Sequence, residues 1–235
     1  MLVAAAVCPC PPLLVPEVAT GAAPELDSVR AACLDAVGVL AAARPDLLVV
    51  VGPAEPDAAG PYPSGATGDF RGFGVDTEVR LGPGEPGARP LPYPLAVGAW
   101  LLARVGWSSA PVEGLAVDER LAPGACAAEG RKTAARAGRV ALLVMGDGSA
   151  CRTVKAPGYL DDRATAFDES VARALAAADT GALAALDPVL AEELKAAGRA
   201  PWQVLAGAAD GTVPTGTLLA DEAPYGVGYL VATWT

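Results

Sequence analysis

The stretch RPDLLVVVGP, residues 44–53, decides the fold class. Leu47–Val51 is an unbroken run of Leu and Val closed by Gly52-Pro53. A short apolar run bounded by turn residues reads as a strand buried on both faces, the condition of a central strand in a parallel sheet. Upstream, residues 24–43 place Leu26, Val29, Cys33, Val37 and Leu40 at helical spacing, with Pro24 near the start. Further upstream, residues 2–7 (LVAAAV) read as a second buried strand, left through Cys8-Pro9-Cys10-Pro11. Strand, helix and strand make a unit that crosses over right-handedly when both strands share a sheet. Downstream, RVALLVMGDGS (139–149) repeats the form: an apolar strand over 140–145, then a Gly-rich exit.

Between these anchors the pattern is looser. Residues 53–72 (PAEPDAAGPYPSGATGDFRG) read as a long Gly/Pro/Asp loop, and FGVDTEVRL (73–81) alternates as a half-exposed strand does. GPGEPGARPLP (82–92) is a connector, 95–106 a buried helix, VEGLAVD (112–118) a strand and 125–137 an amphipathic helix. From Asp162 to Ala209 the chain reads as largely helical, and two strands near 213–219 and 226–233 finish it. No repeat, linker or composition break divides the chain. The expectation is one α/β domain over 1–235, in α/β/α layers, with helices on both faces of a mostly parallel or mixed central sheet.

Composition narrows the chemistry. Apolar residues make up 52% of the 235, supplied mainly by Ala, Val and Leu, while aromatics make up 5%. The chain contains no His, which excludes a Ser-His-Asp triad, a His-ligated zinc and a two-His iron site within it. The formal net charge of −10 is a poor match to nucleic acid, whose binding requires Lys/Arg patches. No basic, apolar and small-residue leader pattern opens the sequence, and no run approaches the roughly 20 apolar residues of a membrane span. The odd set Cys8, Cys10, Cys33, Cys126 and Cys151, without an export signal, suggests reduced thiols in the cytoplasm.

In open α/β sheets, ligands bind beyond the carboxyl ends of the strands. Three exits stand out: Cys8-Pro9-Cys10-Pro11, Gly52-Pro53-Ala54-Glu55 and Gly146-Asp147-Gly148-Ser149-Ala150-Cys151. They meet at one end of the sheet if their strands are neighbours. Each has a plainer reading. Cys8 points into the core as the last strand residue, Cys10 is a small residue fitted into a Pro turn, and Glu55 is solvated in its loop. Asp147, flanked by glycines, either caps a helix, accepts backbone N–H bonds or binds a ligand. Cys151 beside Arg152 has one cation to favour thiolate, which is weak support for reactivity. A thiolate metal site would need Cys126 or Cys151 to join Cys8-x-Cys10, whose spacing is not that of a zinc knuckle, and would select zinc or copper(I).

Taken together, the exits resemble a family. CPCPPLLVPEV resembles the opening of the class III extradiol ring-cleavage dioxygenase catalytic-subunit superfamily, where a strand runs into a Pro-His-Pro-Pro-type turn. LLVVVGPAE is similar to its second strand with a Ser-Pro-His-type turn, and LLVMGDGSACR to its Gly-Asp-x-Ser-His segment. PWQVLAGAA and APYGVGYLVATW are similar to its C-terminal helix and last strand. The resemblance implies that family's α/β fold and a non-haem Fe(II) site of two His and one Glu, with a further His as acid–base group. Carried over by motif, the first His falls on Cys10, the second on Ala54 and the acid–base His on Ala150. The Glu position falls near Ala196-Ala197-Gly198-Arg199-Ala200, with Glu192 and Glu193 too early.

The motifs remain and the ligands are gone, so no metal is expected and no cofactor is assigned. Three functions follow as expectations. In the first, the iron site and ring cleavage are lost, and a cleft lined by Cys8, Cys10, Pro11, Pro53, Ala54, Gly146, Asp147, Ser149 and Ala150 holds an unknown small molecule or protein partner. In the second, an oxidoreductase or hydrolase uses Cys10 as nucleophile or redox thiol with Asp147 and Glu55 as acid–base groups. In the third, a different partner chain completes a ring-cleaving dioxygenase. Nucleic acid and membrane are not expected as partners, and a homo-oligomer, supported by 95–106 and 224–234, is open.

Overall fold

Leu47–Ala54 forms β2, buried at all eight positions, at the centre of a seven-stranded sheet in the computed structural model, which describes residues 1–235. The strand order is β3-β6-β2-β7-β1-β9-β8. Here β1 is Leu2–Cys8, β3 Gly60–Tyr62, β6 Val112–Asp118, β7 Val140–Met145, β8 Gly216–Glu222 and β9 Tyr229–Trp234. Neighbours β6, β2, β7 and β1 run parallel, and β3, β9 and β8 add antiparallel at the edges. The sheet is thus mixed around a parallel centre. A separate ribbon pairs β4 (Thr67–Asp69) with β5 (Glu78–Arg80).

Strand alternation sorts side chains onto two cores of similar size, 35 and 33 buried residues. Ala4, Ala6, Cys8, Leu48, Val50, Leu143 and Met145 face the first core; Ala5, Val7, Val49, Val51, Leu142 and Val144 face the second. The first is covered by α2 (Asp27–Ala42), through Val29, Cys33, Val37 and Leu40, and by α3 (Tyr93–Arg104). The second is covered by α4 (Pro123–Ala134), α5 (Ala164–Ala176) and α8 (Arg199–Ala208), with short α6 (Thr180–Ala184) and α7 (Pro188–Glu193) beside them. A further short helix, α1 (Pro16–Ala19), follows the Pro-rich turn. With both faces sealed, alanine suffices in β1, since the strand is filled from either side rather than by bulk of its own. No helix is long and apolar enough to cross a membrane.

Boundaries move where local chemistry overrides periodicity. The helix expected over 24–43 starts as α2 at Asp27; residues Thr20–Leu26, which include Pro24, take a tighter 3-10 turn. The expected loop 53–72 is shorter: Pro53 and Ala54 extend β2, and Gly60–Tyr62 pairs with β6. Of the strand expected over 73–81, only Glu78–Arg80 pairs, because Gly74 turns the chain at φ 88° after a 3-10 turn. Helix α3 begins two residues before expectation, with Pro94 in its first turn, and α4 begins with Pro123, as proline's fixed φ favours.

Two glycines set how closely the helices pack. A Cβ on Gly130 of α4 would lie 2.0 Å from the Val204 carbonyl oxygen, and one on Gly207 of α8 would lie 2.1 Å from that of Ala127. Backbone meets backbone there, and neither side can yield by a rotamer change. Gly130→Ala and Gly207→Ala are each expected to cost about 1–3 kcal/mol or more, read as a lower midpoint in urea unfolding. Ala substitution at the open Gly124 of the same helix provides the control.

Candidate functional site

Parallel register brings the exits together. Cys8 lies beside Met145, Val51 beside Val144, and Ala54 beside Asp118. The three exits read from the sequence therefore emerge side by side, and a fourth, Asp118-Glu119-Arg120 after β6, joins them.

The Cys10 backbone N–H donates to Asp147 Oδ1 at 2.7 Å, tying the first exit to the third. Asp147 is held from its other side by its carbonyl, which accepts the Gly198 N–H at 2.8 Å. Gly146 makes this approach possible, since a Cβ there would lie 2.5 Å from the Gly198 Cα. Of the readings open for Asp147, the structure thus displays acceptance of a backbone N–H, on a strand-exit turn rather than a helix cap. Burial pushes the Asp147 carboxyl up to about 7; hydrogen bonds from Cys10 pull it down, and the Glu119 charge pushes it further up. Burial foremost, then the Asp147 and Glu119 charges, raise the Cys10 thiol well above its ordinary value. The residue is fully buried, so Cys10 is a neutral, inaccessible thiol. Tyr229, at the start of β9, is raised by burial and by nearby Asp147 and Cys10; Tyr93, at the start of α3, is raised by desolvation and the same two groups although 39% of it remains exposed. Asp147 is thus surrounded by groups that hold their protons.

Beside this cluster lies a cavity of about 390 Å³ between the β2 and β6 exits and helices α7 and α8. Ala54, Glu55, Glu119, Arg120, Lys195 and Arg199 are among its walls; Cys10 and Asp147 are not. Glu55 is solvent-exposed, as its loop position suggests. Glu119 is raised by burial and by the Glu55 charge, against the lowering effect of Arg199. Arg199 is 3% exposed, and its guanidinium donates to the carbonyls of Glu119 and Leu121 and to Gln203 Oε1.

The remaining expected residues divide. Cys8 packs in the α2 core under the site, as read. Pro11 and Pro53 are buried turn and strand residues that shape the exits. Ala150 spends its N–H on the Leu194 carbonyl at 2.9 Å. Ser149 turns away from the cleft into a buried pair with Asp168: the Ser149 N–H and Oγ donate to it at 2.7 and 2.9 Å, and Arg152 Nη1 donates at 3.0 Å. Cys151 is buried, and burial raises its thiol, so the adjacent Arg152 does not activate it; that guanidinium serves Asp168. Glu119, Arg199, Tyr93 and Tyr229 were not singled out by sequence. Glu119 carried a usable signal, since it follows the strand read over 112–118.

Fe(II) of the family type is tested by the donors at hand. Cys10 is protonated and buried, Ala54 and Ala150 end in methyl groups, and Arg199 brings a cation to the segment where Glu is required. No three His, Cys, Asp or Glu side chains converge to hold a metal ion. The residues do not fit the group.

Asp147 gives the site a pH signature. Its carboxyl is raised from 3.8 to about 7 in the fold, so from about pH 4 to about pH 7 the unfolded chain has released a proton that the native chain keeps. Stability from this group is full below the lower value and falls as pH rises through the window, by at most about 1.4 kcal/mol per pH unit. Asp147→Asn keeps an oxygen for the Cys10 N–H and removes the titration. Its stability relative to wild type is expected to rise steadily between pH 4 and pH 7, measured by urea unfolding at each pH.

No protein-family model matches the chain, and no curated protein matches it. Among solved structures, the chain is similar to uncharacterized protein JW3007 from Escherichia coli K12, with a TM-score of 0.59 at 15% identity. The match covers 98% of this chain and 99% of that one, and it is a likeness of fold.

Proposed function

We propose that this chain is a class III extradiol dioxygenase-like protein that has lost the Fe(II) site and ring-cleavage activity and keeps its strand-end cleft for a small ligand. One observation carries the reading: at the strand end where the resemblance requires a second His, Ala54 presents a methyl group to the cavity. A methyl supplies no electron pair, and the thiol of Cys10 cannot replace three ligands. The five free, buried cysteines suit a reducing cytoplasm. Purified protein is expected to contain well under one equivalent of iron after anaerobic Fe(II) loading and desalting. It is also expected to show no ring opening of catechol or protocatechuate, followed by absorbance. Stoichiometric, non-exchanging iron with ring cleavage overturns the reading.

The partial exposure of Asp147, with its carboxyl near neutrality, favours a second reading in part: acid–base chemistry on that carboxylate. The same site disfavours Cys10 as its nucleophile. Iodoacetamide is expected to reach Cys10 only through opening of the fold, at least about 100-fold more slowly than in urea-unfolded chain, as mass spectrometry of the labelled peptide measures. Labelling at the unfolded rate restores the nucleophile.

A further inference from the structure

Four chain segments meet around the Asp147 carboxyl, and two of them bring a tyrosine. The β1–β9 register sets Ala5 beside Trp234, Ala6 beside Thr233 and Val7 beside Ala232; carried on toward the exit, it puts Tyr229 level with Cys10. Gly228, the residue before Tyr229, donates to the Ser149 carbonyl at 2.8 Å and accepts the Gly148 N–H at 2.7 Å. These two bonds fasten the start of β9 to the turn that carries Asp147. Pro94, the residue after Tyr93, packs on Gly52: a Cβ on Gly52 would lie 3.1 Å from the Pro94 Cβ, so α3 begins over the β2 exit. Tyr229 is 2% exposed, and its hydroxyl has no hydrogen-bond partner in the protein. The sealed side-chain N and O atoms without a partner are Trp202 Nε1 and Tyr225 Oη, so the Tyr229 hydroxyl, which also lacks one, opens at the strand ends. Asp147 uses Oδ1 for the Cys10 N–H and leaves Oδ2 free in a partly exposed residue. Tyr93, 39% exposed, keeps its hydroxyl free as well, and Phe73 meets its ring edge-on at 5.9 Å between centroids. A nearly buried phenol without a partner inside the fold calls for one from outside.

We propose that this strand-end cleft moves a proton on an uncharged ketone or aldehyde, with Asp147 Oδ2 as base for a C–H beside the carbonyl and the Tyr229 and Tyr93 hydroxyls as donors to the carbonyl oxygen. The step needs no oxidant or reductant. Oδ2 takes the proton, the C–H electron pair becomes the C=C bond of an enolate, and the C=O pair moves onto the oxygen between the two phenols. Asp147 then returns the proton to carbon, or to oxygen as the enol. Phenols that hold their protons stay neutral donors throughout, and a carboxyl near neutrality is both free and basic enough to act. The groups facing Asp147 are Cys10 beside it, Cys33 from α2, Tyr93 from α3, Glu119 from the β6 exit and Tyr229 from β9. None of them is a cation, so an anionic substrate would find nothing to offset Glu119. The exposed Phe73 and Tyr93 rings give an aryl group a place at the mouth. The assignment rests on the reading of Asp147 as an acid–base group in a retained cleft, and it names the substrate class.

Deuterium exchange of phenylacetone in D2O tests the proposal on the full chain, followed by proton nuclear magnetic resonance as loss of the methylene signal. Wild type is expected to accelerate exchange in proportion to its concentration, above a blank of buffer alone. The protein-dependent rate is expected to rise through about pH 7 and then level, as Asp147 loses its proton. Asp147→Asn, which keeps an oxygen for the Cys10 N–H, is expected to lower that rate by about 100-fold or more. Tyr229→Phe, which keeps the ring in the core, is expected to lower kcat about 100-fold with KM little changed. A cooperative melting transition in each variant shows that it folds. Phenylacetate, an anion of similar shape, is expected to leave the rate unchanged at equal concentration, and inhibition there overturns the restriction to uncharged substrates. No acceleration by wild type, no levelling near pH 7, or wild-type exchange in either folded variant overturns the proposal. Saturable broadening of the phenylacetone signals without exchange overturns the proton transfer and leaves the ligand cleft standing. Iron uptake with ring opening defeats the loss of the metal site, whatever the exchange result.

Discussion

The parallel register of β2, β7 and β1 is the constraint on which the rest of the molecule depends. β1 and β7 end level, with Cys8 beside Met145, and β2, whose Val51 lies beside Val144, runs on to Ala54. Because these ends lie together, loops from distant parts of the chain share one rim, and a single hydrogen bond from Cys10 N–H to Asp147 can fasten two of them. A slip of one residue would send Cys8, Val50 and Met145 to the opposite core and separate that pair. Burial of both faces makes such a slip costly. The site therefore draws its precision from the packing of aliphatic side chains that never touch a ligand.

Chemistry around Asp147 is that of protonated and neutral groups. Desolvation outweighs hydrogen bonding at Asp147, and it holds Cys10 and the two neighbouring tyrosines in their uncharged forms. An environment of this kind neither ionises a thiol nor gathers anionic ligands around a divalent ion. Charged side chains gather instead in the neighbouring cavity, where Glu55, Asp118, Glu119 and Glu192 face Arg120, Lys195 and Arg199.

Much of the architecture was legible in residues 2–7, 47–51 and 140–145, because a strand sealed on both faces must be apolar throughout and leave through turn residues. The three exits were legible for the same reason, and register did bring them together. Asp147 stood out by its flanking glycines, and one of those glycines proves to admit the backbone just before α8. What periodicity could not show was pairing across long sequence distances. Ser149 looked like a cleft residue until Asp168, nineteen positions on, took both its donors. Arg199 was not singled out in its alanine-rich segment, since its role lies in donating to the carbonyls of Glu119 and Leu121, about eighty positions away. The short strands β3 and β4 escaped because three-residue segments carry too little pattern to rise above their Gly and Pro.

The contact of Gly130 with Gly207 has a mechanical corollary. With α4 and α8 locked main chain to main chain, α8 cannot slide or roll on its neighbour, and the shelf that carries Arg199 is stationary. The facing lip at residues 119–122 is tied to that shelf, because the Arg199 guanidinium donates across the cleft to the carbonyls of Glu119 and Leu121. The cleft is built like a vice with both jaws pinned, so its width is set by the main chain rather than by whatever enters it.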